Sequence, residues 1–89
     1  MKKVIVSIGA RIPFVTAKKS DIESLFEQMC VMNNSFHNRP NVSFTVTSKS
    51  TGKTVNVDWT YFDSVTDETK HDGIVYLDKL VDILLADIA

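Results

Sequence analysis

Val4, Val6 and Ile8 recur at every second position, the period of a strand with one buried face, and predict a strand over residues 3 to 9. The next stretch, "RIPFVT", either extends that strand or returns beside it. Pro13, which has no amide to donate to a ladder, favours an edge or a bend. The period then lengthens. Ser20 and Glu23 stand at the spacing of a capping box, and Ile22, Leu25, Phe26, Met29, Cys30 and Met32 share one side of a helix over residues 21 to 33. Glu23, Ser24, Glu27 and Gln28 take the other side, so this helix covers a core. "NNSFHNRPN" follows as a loop rich in turn formers and ended by Pro40.

Alternation returns over residues 42 to 61 and predicts a hairpin. Val42, Phe44 and Val46 point to the same side as Val55, Val57, Trp59 and Tyr61, while Ser43, Thr45, Thr47, Thr54, Asn56, Asp58 and Thr60 point to the other. "FDSVTDETKHDG" reads as an exposed acidic loop with room for a helical turn. From Asp72 to the end the pattern is helical again, with Ile74, Leu77, Val81, Leu84 and Ile88 at alternating spacings of three and four, flanked by Leu80 and Leu85. The order strand, helix, hairpin, helix predicts an α+β fold, a single small domain over residues 1–89, with two helices on one face of an antiparallel sheet of about three strands.

The last helix carries more apolar surface than one core face explains. Tyr76, Leu80 and Ile83 fall together on its far side, where a helix packed on a sheet is polar, and form a candidate contact surface for another protein or a second copy of this chain. Asp78 and Asp82 lie one turn apart on the same helix, and the loop before it adds Asp63, Asp67, Glu68 and Asp72. An acidic array beside an aromatic anchor suits the basic surface of a nucleic-acid-handling protein.

Charge is divided unevenly along the chain. Residues 1 to 53 hold eight cations against three carboxylates, a net of +5, whereas residues 54 to 89 hold two against eight, a net of -6. In so small a domain the two halves are expected to interleave and neutralise each other. A rival reading uses the basic half: Lys49 and Lys53 at the hairpin tip, with Arg39 in the adjoining loop, reach toward the phosphates of a nucleic acid. Phe44, Trp59 and Tyr61 alternate in phase with the core face, which leaves no stacking platform for bases.

The chain offers little else to chemistry. Gly52-Lys53-Thr54 ends like a phosphate-binding loop, but Thr47 stands where the first glycine belongs and strands flank it on both sides, so Gly52 reads as the positive-φ residue of a hairpin turn. His71 lies four residues after Asp67 and beside Asp72, too few ligands for a metal site, and His37 sits in the distant loop. Cys30, the only cysteine, lies on the core face of the first helix, where it behaves as a small hydrophobe. It excludes an internal disulfide and fits a reducing, cytoplasmic setting. Arg11 and Pro13 interrupt the apolar run behind Lys2 and Lys3 too early for a signal peptide, and no apolar run reaches membrane-spanning length.

With 44% apolar and 24% charged residues, the chain has the composition of an ordinary folded protein. The expectation is a non-enzymatic regulator or inhibitor, with no cofactor or small-molecule substrate, acting by binding a protein. Its compactness suits a phage or other mobile element.

Overall fold

The computed structural model describes residues 1–35 and 38–89; Phe36 and His37, read above as loop, lie outside the described residues. Among those described, the chain runs through β1 (Val4–Ile8), β2 (Phe14–Thr16), α1 (Lys19–Ser35), β3 (Phe44–Ser48), β4 (Thr54–Val57), α2 (Trp59–Thr69) and α3 (Leu77–Asp87). The strands form one antiparallel sheet in the order β2-β1-β3-β4. The predicted α+β architecture stands, with a fourth strand and a third helix added.

Register follows the alternation of apolar residues. Val6 lies opposite Phe14 on one side and Val46 on the other, Val46 meets Val55, and Phe44 meets Val57. All of these except Phe14, which is exposed on the edge strand, point into a core completed by Ile22, Phe26 and Met29 of α1, Phe62 and Val65 of α2, and Leu80, Val81, Leu84 and Ile88 at α3. Each such side chain removed from water contributes about 1.5–3 kcal/mol. The rings of Phe26 and Phe44 meet edge to face at 5.9 Å, joining α1 to the sheet. The alternate residues, Ile5, Ser7, Thr45, Thr47, Thr54 and Asn56, point away from the helices.

"RIPFVT" proves to be a return: Gly9 takes positive φ (52°) in the turn, and β2 becomes a short edge strand. Gly52 likewise has φ 75°, with its amide bonded to the Ser48 carbonyl at 2.9 Å, which settles the Gly-Lys-Thr stretch as a strand-turn-strand connection.

Three local expectations are corrected. The first helix begins at Lys19, so Ser20 lies inside it and does not cap it; Thr16 organises the start, accepting the Lys18 amide at 3.0 Å and donating to the Asp21 carboxylate. The hairpin ends at Val57. Asp58 is the N-cap of α2, its carboxylate accepting the Tyr61 amide at 2.9 Å, and the expected acidic loop is a three-turn helix that buries Phe62, Val65 and Thr66. The last helix begins at Leu77, because Asp72 and Gly73 both take positive φ (53° and 77°) in a tight turn closed by paired bonds between His71 and Ile74. Aspartate followed by glycine is a strong hairpin-turn signal, and it overrides the helical spacing that runs through it.

Replacing Asp58 with alanine removes the cap of α2. Urea unfolding of Asp58→Ala is expected to show a loss of about 1 kcal/mol with an unchanged slope.

Candidate functional site

The helical layer decides what the C-terminal third can offer. α3 packs on both α1 and α2 as well as above the sheet, so it is buried over a wider arc than a helix lying on a sheet alone. Leu80 is accordingly fully buried and is withdrawn from the candidate contact surface. The expectation assumed one covered face, whereas α1 and α2 cover α3 from two directions. Ile83 is half-buried against the core, whereas Tyr76, at the N-cap of α3, is 37% exposed and Ile74 is 55% exposed.

Residues from separate segments converge beside Tyr76. Glu68 and Thr69 of α2 face Lys79, Asp82 and Ile83 of α3 across a surface groove of about 340 Å³. The Lys79 ammonium lies 5.0 Å above the Tyr76 ring, linking the aromatic to this groove. Asp82 accepts from Lys19 of α1 at 2.7 Å. That hydrogen bond holds the Lys19 amine above its ordinary range, outweighing desolvation, with the charges of Asp82, Asp78 and Glu23 adding to it. The carboxylates of α1, α2 and α3 thus gather around one partly neutralised strip of the helical layer.

Asp67 is not part of that groove. It pairs with Lys70 at 3.5 Å and lines a separate cleft of about 500 Å³ with Cys30, Asn33, Asp63 and Thr66. Arg39 lines the same cleft, far from the hairpin tip. Its guanidinium makes a two-pronged pair with Asp63 at 2.7 and 2.8 Å, donates to Asn33 at 2.9 Å and lies 4.6 Å above the Trp59 ring. Trp59 in turn donates its indole N–H to the Pro40 carbonyl at 2.7 Å. Arg39 is therefore part of the fastening between α2 and the loop before β3. A sequence signal for this was present in the apolar pair Trp59 and Phe62, three apart as on a helix, whose rings meet edge to face.

At the hairpin tip, Lys53 donates to the Ala89 carbonyl at 2.9 Å, and Lys49 is exposed, its amide on the Lys3 carbonyl at 3.3 Å. The His71 imidazole lies 3.3 Å from the Asp72 carboxylate, and among the described residues no three His, Cys, Asp or Glu side chains gather to hold a metal. Burial pushes the Cys30 thiol up, with Glu27 adding to the effect, and so lowers its thiolate fraction. Burial, then the hydrogen bond to Asp87 at 2.7 Å, raises the Tyr61 phenol well above its ordinary value. Among the described residues no helix is long and apolar enough to cross a membrane.

No family model, no curated protein and no solved structure matches this chain.

The hydrogen bonds from Arg39 hold the Asp63 carboxyl below its ordinary value, against the opposing effect of desolvation. A depressed carboxylate contributes stability that is complete above the unfolded-state value of about 3.9 and is lost as pH falls through the lower folded value. The gap in urea midpoint between the native chain and Asp63→Asn is expected to be open at about pH 6 and to close on acidification below about pH 4. A gap constant across that range overturns the assignment.

Proposed function

We propose that this protein is a binding module that engages another protein through the acidic and aromatic strip of α2 and α3. The supporting observation is convergence: Glu68 from one helix and Asp82 and Ile83 from another line a single groove, and Tyr76 joins it through Lys79. A half-exposed aromatic next to desolvated aliphatic surface supplies an anchor, and surrounding carboxylates choose a partner of opposite charge. The partner that fits is a protein with a basic, apolar-centred surface, such as one that handles nucleic acid. The module acts as a regulator or inhibitor by occupying that surface, in the reducing cytoplasmic setting that a lone cysteine suits. A phage or mobile-element origin accords with such a compact binder.

Tyr76→Ser tests the anchor without threatening the fold. Tyr76 makes no capping hydrogen bond through its side chain, and serine is a favoured N-cap residue. Affinity capture from nuclease-treated cells that naturally contain the protein is expected to retain a defined protein partner. Both Tyr76→Ser and Glu68→Lys with Asp78→Lys are expected to lose it while keeping the native circular dichroism spectrum. Retention of the same partner by both folded variants overturns the proposal.

A further inference from the structure

The two layers of the molecule differ in charge more than the two halves of the sequence do, +7 against -8 compared with +5 against -6. Residues 1–18 and 38–57, which form the sheet and its connections, contain Lys2, Lys3, Arg11, Lys18, Arg39, Lys49 and Lys53 and no carboxylate at all. All eleven carboxylates of the chain lie in residues 19–35 and 58–89, which form the helices and their links. Arg39 is neutralised by Asp63, and Lys53 is engaged with the Ala89 carbonyl. Among the described residues, Lys2, Lys3, Arg11, Lys18 and Lys49 make no ion pair.

Register places some of these cations beside the uncovered face of the sheet. One row across that face reads Val15, Ile5, Thr47 and Thr54, and the next reads Ser7, Thr45 and Asn56. Thr47 and Thr54 share a hydrogen bond at 2.7 Å. The bond from the Lys49 amide to the Lys3 carbonyl brings these two exposed lysines together at the end of the β1–β3 pair, next to the row that holds Ile5 and Thr47. Hydroxyl and amide side chains thus lie next to two exposed lysines, with no carboxylate in the sheet to repel an anion.

We infer that this uncovered face docks the phosphodiester backbone of a nucleic acid, with Lys3 and Lys49 as charge anchors and Ser7, Thr45, Thr47, Thr54 and Asn56 as hydrogen-bond donors to phosphate and sugar. Hydroxyl, amide and lysine groups are those that position phosphates, and charge complementarity selects a polyanion. A second copy packed face to face brings like charges together. Of the exposed apolar residues, Ile12 lies in the turn and Phe14 on the core side of the edge strand, which leaves Val15, beside Ile5, as the apolar end of the first row. Because no aromatic ring stands in either row, bases have nothing to stack on, and binding is sequence-independent. This surface is separate from the α2–α3 groove and does not depend on it.

The test is fluorescence anisotropy of the full chain with a labelled mixed-sequence oligonucleotide, single-stranded and duplex, across a salt series. Binding is expected to weaken with salt by a log–log slope of about -0.7 per phosphate contact on the single strand or about -0.9 on the duplex. Lys3→Gln with Lys49→Gln is expected to weaken binding about tenfold or more and make the slope shallower by about two contacts. Lys70→Glu, in the helical layer, changes net charge by the same amount and is expected to leave affinity nearly unchanged. Thr45→Val with Thr47→Val keeps the charge and is expected to lose affinity without altering the slope. Absence of binding to either strand form at low salt overturns the inference, as does an equal loss in the two charge-matched variants. Equal affinity, through the same lysines, for polyglutamate or for vesicles rich in phosphatidylserine overturns it in favour of an acidic protein or a membrane.

Discussion

The pairing of β1 with β3 is the constraint on which the rest of this molecule depends. These two central strands place Val4, Val6, Phe44 and Val46 on one side of the sheet, and all three helices draw their burial from that side. A slip of one residue turns every side chain over, sending the valines to water and the threonines into the core. Such a slip loses several large apolar contributions at once and buries hydroxyls without partners. The register is therefore strongly specified. It also decides which polar residues remain on the uncovered face and where Lys3 meets Lys49.

The same division into layers organises the electrostatics. Helices here carry the carboxylates and strands carry none, so folding concentrates negative charge over the helical layer and positive charge over the sheet. The connections between layers are few and identifiable: Arg39 binds Asp63 near the loop before β3, and Lys53 reaches the chain end beyond α3. Lys19 supplies the helical layer with its own cation, held among Asp82, Asp78 and Glu23. A small protein of net charge -1 can thus present two surfaces of opposite sign, which suit different partners. Among the described residues, the expected neutralisation of one half by the other is made by two ion pairs, Arg39 with Asp63 and Lys19 with Asp82.

The third helix shows why the candidate protein-binding strip differs from the one read along the chain. Its apolar residues fill two demands together, covering the sheet and wedging between α1 and α2. That wider burial absorbs Leu80 entirely and Ile83 in part. What remains available is aromatic and acidic, with Tyr76 at the helix start and Glu68 supplied from α2 across the groove. Glu68 and Asp82 are fourteen positions apart in the chain, and only antiparallel packing of two helices makes them neighbours.

Much of this was legible in the amino-acid order because it rests on local periodicity. Alternation alone determined β1, β3, β4, their buried faces and the hairpin turn at Gly52, and the spacing of Ile22, Phe26 and Met29 determined the face of α1. Two punctuation marks were present but outweighed by the patterns around them: Asp58, which starts α2 within an apparent strand, and Asp72-Gly73, which breaks an apparent helix. Periodicity cannot rank a cap or a turn against a pattern that runs through it, since both are short-range preferences of similar size. The tertiary structure alone decided which helix faces were covered from two directions, that Arg39 belongs to Asp63 and Trp59 and not to the hairpin tip, and that charge is sorted by layer. These depend on contacts between residues distant in the chain, whose geometry is set by packing of whole elements and has no local signature.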